Sequence, residues 1–324
     1  MPADHLTTTP LTTGVLTTSL QRVLAGAPLT ATATAAGVDP VDLADAIGIY
    51  HTAGLAAVRQ HTENRWRQVR ITFPDWDTAE VTAARTLGPR LDQLRDTGAI
   101  EDWWFLRKHP SWRLRFAGRH ITAAHRVLDE LTAAGTIRSW WPTMYEPETA
   151  AFGGPAGLHS AHDLFCADSR GALDYLRQPQ PALGRRELSL LLLGGLLQAA
   201  DLDWFERGDV FARLAQVRPA PDVTHDIRTH ALTGNVRGLL AAPTDAIDAL
   251  FTPDGAVGFA GPWRAAFTAT GHRLAQAAAA GHLQRGLRSV LSHIVIFHWN
   301  RIGLSANTQA ILTRAAHDAF LPRS

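Results

Sequence analysis

Four short stretches between residues 65 and 147 mix aromatic and β-branched residues with polar ones and end near Pro or Gly, which is typical of strands. Between them, apolar residues recur at helical spacing over residues 78–95 and 121–134. The predicted strands are WRQVRITFP (66–74), DWWFLRK (102–108), WRLRFAG (112–118) and SWWPTMYEP (139–147). The order strand–helix–strand–strand–helix–strand is the split βαββαβ arrangement of a ferredoxin-like sheet with its helices on one face.

Beyond the Gly153-Gly154 pair the pattern is helical almost throughout, with prolines between the segments. Helices are predicted over 157–177, 185–201, 203–217, 225–241, 261–281, 283–302 and 305–319. The predicted fold class is therefore α+β, a small ferredoxin-like antiparallel sheet packed with a large helical layer.

Residues 1–60 are predicted to form an N-terminal helical appendix, which leaves residues 61–324 as the main domain. Leu16–Leu24 has helical apolar spacing, and Asp39-Pro40 opens a second helix with Pro at a favourable early position. Such a helical pair either packs on its own domain or docks a partner.

Composition limits the class of protein. The chain has 324 residues, 46% hydrophobic and 19% charged, so it can form a large core and is not intrinsically disordered. Its single cysteine, Cys166, excludes an internal disulfide, and a net charge of +1 gives no overall electrostatic reason to bind nucleic acid. The most apolar run, Leu188–Leu202, is shorter than the ~20 residues that span a bilayer, so it predicts a buried helix in a cytoplasmic protein.

Signatures of common enzyme classes are absent from the sequence: it has no GxSxG, no P-loop, no HExxH and no Gly-rich dinucleotide turn. His159 and His162 have the spacing of metal ligands on a helix. With only Asp163 and Asp168 nearby, an exposed polar helix face is the favoured interpretation. The sequence thus predicts neither a metal site nor a bound cofactor.

The third predicted strand carries two arginines at alternate positions. Residues i and i+2 of a strand lie on one face ~7 Å apart, so Arg113 and Arg115 project together, away from the apolar residues of the strand. Neighbouring guanidiniums repel unless an anion lies between them, and arginine suits bidentate binding of carboxylate or phosphate. Arg107, across the predicted hairpin, is expected to add a third charge. The alternative is a solvated face on which acidic side chains pair with the arginines.

Two further segments place polar groups in unusual surroundings. Tyr145 and Glu148 lie where the fourth strand ends, ahead of two glycines that let the backbone approach another group closely. Near the C-terminus, His298 and Arg301 are three residues apart, so they share one face of an apolar helix that also carries Asn300. The first segment is interpreted either as part of a site or as an ordinary capped turn. The second is interpreted either as part of a site or as a helix with a buried core histidine.

Four segments together resemble a known family. They read WWFLRKHPSWRLRF, YEPETAAFGG followed by AHDLFCADSR, RRELSLLLL, and HIVIFHWNRIGL. In this order they resemble the thiopeptide-type bacteriocin biosynthesis domain, which is similar to the glutamate-elimination domain at the C-terminus of class I lanthipeptide dehydratases. The resemblance covers residues 61–324.

The resemblance implies a tailoring enzyme for ribosomally synthesised peptides. A separate tRNA-dependent glutamylation enzyme esterifies Ser or Thr with glutamate, and the elimination domain expels the glutamate to leave dehydroalanine or dehydrobutyrine. This reaction needs a base for the α-proton and cations for the developing negative charge. The implied catalytic residues are Arg113 and Arg115 on the strand and His298 on the last long helix, with His293 as the alternative histidine.

The resemblance also implies the substrate contacts, which are Arg107, Tyr145, Glu148, Arg170, Asn300 and Arg301. The sequence departs from the family pattern at two positions. Ile296 stands where the family often has a histidine, and Ala151 stands where an arginine commonly precedes the family's Tyr-Gly-Gly turn. Arg107 or Arg170 is expected to supply the contact that Ala151 lacks.

Two other functions stay open beside elimination. Stand-alone members of the fold are pyridine synthases, which join two dehydroalanines in a formal (4+2) cycloaddition and release the leader peptide. A non-catalytic scaffold that presents peptide to the glutamylation enzyme is the third reading. Elimination is favoured because Arg113 and Arg115 are retained. The expected partners are the precursor (leader–core) peptide and the separate glutamylation enzyme, without direct contact to nucleic acid or membrane, and a homodimer stays open.

Overall fold

The computed structural model describes residues 13–63, 65–118, 121–219 and 227–321. It divides into two compact units, residues 1–65 and 66–324. The first unit contains helices α1 (Thr13–Leu24), α2 (Leu29–Ala36) and α3 (Pro40–Glu63), around a small core of Leu20, Ala33, Val38 and Leu43. Gly37 ends α2 at φ 65°, a left-handed conformation that glycine adopts without strain, and Pro40 opens α3.

The second unit begins with one antiparallel sheet. Its strands are β1 (Trp66–Thr72), β2 (Asp102–Lys108), β3 (Ser111–Ala117) and β4 (Ser139–Thr143), in the spatial order β2-β3-β1-β4. Between β1 and β2, α4 (Ala79–Thr82) continues through a π-helical turn (Ala83–Leu87) into α5 (Gly88–Asp96), and α6 (Thr122–Ala133) joins β3 to β4. This is the split βαββαβ topology, so the α+β, ferredoxin-like prediction is confirmed.

The register of β3 decides what the two faces of the sheet carry. Arg113 lies opposite Arg70 of β1, and Arg115 lies opposite Trp104 of β2. Paired residues share a face, so three arginines lie together on one side of the sheet. The opposite face is apolar and buried at its centre, and Trp103 on that side donates its indole N–H to Asp92 of α5 at 3.1 Å.

The rest of the second unit is helical. The helices are α7 (Pro155–Arg177), α8 (Arg185–Ala199), α9 (Trp204–Val217), α10 (Ile227–Leu240), α11 (Thr244–Leu250), α12 (Gly261–Ala279), α13 (Leu287–Arg301) and α14 (Ala306–Phe320). The sequence did not predict α11, a short helix between two prolines, and α13 begins four residues later than predicted, after Gly286. The start predicted at residue 225 lies outside the described residues.

The apolar run Leu188–Leu202 falls mostly within α8, whose leucines are buried as predicted. Throughout the described ranges, no helix has both the length and the apolar character needed to cross a membrane.

Candidate active site

A cavity of about 420 Å³ opens on the face of the sheet that carries the arginines. We call it the arginine cavity. Its lining includes Arg70, Arg113 and Arg115 from the sheet, Trp104 from β2, and Tyr145 and Glu148 from the segment after β4. The cavity therefore joins the arginine strand to the segment after β4, two features that the sequence analysis had singled out separately.

Arg115 is the most deeply placed cation of this cavity, with only 4% of its surface exposed. Its guanidinium carbon lies 3.9 Å from the centre of the Trp104 ring, a cation–π contact. Nε and Nη1 have no hydrogen-bond partner in the described chain. Burial, together with the nearby positive charge of Arg113, lowers the pKa of Arg115 to about 9. An anion in the cavity would supply the partner that the protein itself does not provide.

Arg70 and Arg113 are half-buried beside Arg115, and neither forms an ion pair within the described part of the chain. Glu146 and Glu148 line the same cavity, but neither forms an ion pair with these arginines among the described residues, so the direct pairing that the alternative requires is not observed. The sequence did not predict Arg70 as part of this cluster, because the alternation in β1 gives the face on which Arg70 lies but not the residues of the neighbouring strand. Only the register places it against Arg113.

Arg107 does not add the third charge, and this prediction is wrong. It lies opposite Trp112, on the other face of the hairpin from Arg113. Its guanidinium forms an ion pair with Glu80, a carboxylate that Arg185 also contacts. The third cation of the cavity comes from Arg70 instead.

The segment after β4 brings Tyr145 and Glu148 to the cavity, and two glycines end it. Gly153 and Gly154 have φ values of +79° and +91°, in the region that favours glycine. The Gly153 carbonyl accepts a hydrogen bond from the Gln284 amide at 2.9 Å, which ties the turn to the segment before α13.

Tyr145 and Glu148 have opposite protonation tendencies. Burial raises the pKa of the Tyr145 phenol, so its hydroxyl stays neutral, 2.7 Å from Nε2 of His162. The hydrogen bond from His293 lowers the pKa of Glu148, and Arg115 and Arg113 lower it further, against the effect of partial burial. Glu148 is therefore a carboxylate at neutral pH.

His293, on α13, is the histidine that faces the site. Its Nε2 lies 2.9 Å from the Glu148 carboxylate, and its side chain lines a second cleft of about 630 Å³. We call this the basic cleft. The basic cleft and the arginine cavity share Arg113, Glu148 and Phe297 as lining residues, so the two spaces are continuous.

His298 does not reach the arginine face, contrary to the prediction. It is 1% exposed, with Nδ1 2.8 Å from Asp168 and Nε2 3.0 Å from the Ser189 hydroxyl. Five residues on a helix correspond to a rotation of ~140°, so His293 and His298 leave α13 on different sides. His298 belongs to the helical core.

Arg301 shares the face of His298, as its spacing predicts, and is buried with it. It forms an ion pair with Asp168, and its Nε donates to the Phe105 carbonyl at 3.0 Å. Although Asp168 is fully buried, His298 and then Arg301 lower its pKa. Arg301 is not among the described residues that line the arginine cavity, so its predicted role as a substrate contact stays a prediction.

The other predicted residues have ordinary partners. Arg170 forms an ion pair with Asp102 at 2.7 Å and is not among the residues that line either space, so its role in place of the arginine absent at Ala151 stays a prediction. Asn300 lines the basic cleft and accepts a hydrogen bond from Gln309. His159 lies 3.7 Å from Asp163 at the surface. The described residues contain no group of three or more His, Cys, Asp or Glu side chains arranged to hold a metal ion.

Residues 66–320 match the family described as the C-terminal part of lantibiotic biosynthesis dehydratases. The chain belongs to this family. The match spans the whole sheet and helical layer, so the resemblance carried by the four sequence segments is confirmed. No curated protein matches the sequence.

Three solved structures share the dehydratase C-terminal fold. The tRNA-dependent lantibiotic dehydratase MibB from Microbispora sp. 107891 is 18% identical, with a TM-score of 0.55 over 79% of this chain. TsrL is 18% identical, with a TM-score of 0.51 over 79% of this chain and 94% of its own. The pyridine synthase TbtD from thiomuracin biosynthesis is 12% identical, with a TM-score of 0.52 over 79% of this chain and 97% of its own. This chain covers only 28% of MibB, and at these identities the likeness concerns the fold.

Proposed function

We propose that this protein eliminates glutamate from glutamylated Ser or Thr residues of a peptide, leaving dehydroalanine or dehydrobutyrine. The observation that supports it most is Arg115, whose buried Nε and Nη1 have no hydrogen-bond partner in the described chain and which faces a cavity with two more arginines that form no ion pair there. Such a set of cations matches a substrate that carries carboxylate groups.

The charges of the reaction fit the arginine cavity. A base removes the α-proton of the esterified residue, the Cβ–O bond breaks, and glutamate leaves with the electron pair as a carboxylate. The glutamyl group already carries a side-chain carboxylate, and the departing oxygen gains a second negative charge in the transition state. Arg70, Arg113 and Arg115 are fixed on a rigid sheet, where preorganised cations stabilise such developing charge.

His293 is proposed as the base in place of His298. Glu148 is ionised and can only accept a hydrogen bond, so Nε2 of His293 carries the proton and Nδ1 of the neutral ring is left as the basic nitrogen. The carboxylate fixes this tautomer and stabilises the imidazolium that forms when the α-proton is taken. His298 has both ring nitrogens engaged inside the core, away from either space.

Pyridine synthesis is the second candidate. It is favoured by the near-complete coverage of TbtD, 97% of that chain, against 28% of MibB. Ile296 also lines the basic cleft, at the position where the family often has a histidine. In both candidates the precursor peptide is the substrate. For elimination, a separate tRNA-dependent enzyme supplies the glutamate ester.

Mass spectrometry of purified protein with a glutamylated peptide separates the candidates. Elimination predicts dehydrated peptide and free glutamate, and Arg113→Gln should leave the glutamylated peptide intact. Arg126→Gln is the matched control, because Arg126 is exposed on α6 and makes no ion pair in the described chain. If the wild-type protein leaves the glutamylated peptide unchanged, the proposal is contradicted. Conversion of a dehydroalanine-containing peptide with loss of its leader would instead favour pyridine synthesis, and binding without either conversion would favour the scaffold.

A further inference from the structure

The basic cleft carries far more positive charge than the protein as a whole, whose net charge is only +1. Its lining contains Arg107, Lys108, Arg113, Arg213, Arg218 and Arg285. Among the described residues that line the cleft, Glu148 is the only acid, and it is engaged by His293. The cleft is therefore a local concentration of cations directly outside the arginine cavity.

Part of this charge is not neutralised by the protein. Arg107 and Arg213 have acidic partners, Glu80 and Asp209 respectively. Lys108 and Arg285 are exposed and have no acidic partner in the described ranges. With the described residues, the side chain of Arg285 makes a long contact of 3.4 Å to the Ala151 carbonyl. The cleft thus presents free cations at its rim and Arg113 at the point where it joins the cavity.

The lining between the cations is mixed rather than purely charged. Leu106, Val217 and Ile296 supply apolar surface, and Ser289 and Ser292 supply hydroxyls. A groove that follows a phosphate backbone combines cations with aromatic platforms for stacked bases. Among the described residues that line this cleft, the aromatic rings are Phe297, shared with the arginine cavity, and the imidazole of His293, which is engaged by Glu148. Aliphatic and hydroxyl positions between cations suit the side chains of a peptide that carries carboxylates.

We propose that the basic cleft binds an acidic segment of the peptide substrate, adjacent to the residue that is processed in the arginine cavity. The continuity of the two spaces through Arg113 and Glu148 places such a segment in the same chain as the reacting residue. The inference rests on the proposed function only in naming this peptide as the substrate, because the peptide can bind to the cleft without undergoing elimination.

Fluorescence anisotropy with the full chain tests this inference without turnover. The probes are a labelled peptide of alternating Glu and Ala, the same peptide with Gln for Glu, and an oligouridylate of the same charge. The variant is Lys108→Glu combined with Arg285→Glu, and the matched control is Arg126→Glu. Thermal unfolding of both should match the wild type, because all three side chains are exposed.

The acidic peptide should bind more tightly than its Gln counterpart and than the oligouridylate, and added salt should weaken its binding. The double variant should weaken binding of the acidic peptide by about tenfold, since two exposed attractive contacts become repulsive, and Arg126→Glu should not. Equal binding of the Glu and Gln peptides, or equal loss in the control, overturns the inference. Tighter binding of the oligouridylate overturns it in favour of nucleic acid. Failure of elimination alone leaves this binding pattern intact, so the two proposals fail separately.

Discussion

Replacing Arg115 with methionine should make the protein more stable and less active. A pKa lowered to about 9 corresponds to about 5 kcal/mol by which the fold disfavours the charged side chain at neutral pH. Methionine keeps most of the apolar stem of the arginine side chain. Replacing a buried charge by a hydrophobic residue of similar volume typically stabilises by ~1–4 kcal/mol, and we expect Arg115→Met to fall in this range.

The gain has a defined dependence on pH. Because the pKa of Arg115 is lower in the folded state than in the unfolded state, the unfolded chain binds more protons above about pH 9. The free-energy cost of burying the charged Arg115 side chain is therefore complete below about pH 9 and declines as the pH rises beyond that value. The excess stability of Arg115→Met should follow the same course.

Thermal and urea unfolding of wild type and Arg115→Met at pH 7 and pH 10 measure this directly. For a unit of this size, 1 kcal/mol corresponds to ~2–4 °C in Tm, so a rise of several degrees is expected at pH 7 and a smaller one at pH 10. Elimination should fall by more than ~10-fold, the loss expected for one charge-assisted contact in the transition state. A variant that is less stable than wild type would refute the interpretation of Arg115 as an unneutralised cation.

Three other outcomes follow from the same contacts. His293→Gln should lower the rate of elimination by ~10²-fold or more without changing Tm. His298→Gln should instead lower Tm, because it disturbs a buried hydrogen bond to Asp168 worth ~1–3 kcal/mol. The reverse pattern would restore His298 as the base. Asp168→Asn should lower the free energy of unfolding by ~3–5 kcal/mol, because Arg301 stays buried without its anion. Since the pKa of Asp168 is lower in the folded than in the unfolded state, this loss of stability should be complete above about pH 4 and shrink in acid. A loss of stability that does not depend on pH would contradict this origin. Sodium glutamate at about 100 times its Kd should stabilise the wild type by ~2.7 kcal/mol, and equal stabilisation of Arg115→Met would place the anion elsewhere.

The sheet was predictable because its information is local. Alternation, the short hairpin and the stops at Pro and Gly determine four strands and their connections, and only one handed arrangement of such units is common. The pairing of Arg113 with Arg115 on one face likewise follows from the two-residue period of a strand.

The contents of the site were less predictable because they depend on distant pairings. Arg70 joins the cavity through the register of β1 with β3, whereas Arg107 lies on the other face of the sheet, opposite Trp112, where it pairs with Glu80. The choice between two histidines of one apolar helix depends on which side of α13 faces Glu148 and which faces Asp168. Spacing along a helix gives the angle between two of its side chains, but only the packing of the helix determines which side chain faces which neighbour.

The most direct test of the account uses a peptide whose Ser carries an isotope-labelled glutamyl ester. Wild-type protein should release labelled glutamate in equal amount to the dehydroalanine that forms, and Arg115→Met should release far less while unfolding at a higher temperature. Release of labelled glutamate with regeneration of serine would show ester hydrolysis instead. Undiminished, stoichiometric elimination by Arg115→Met would contradict the claim that the arginine cavity holds the departing carboxylate.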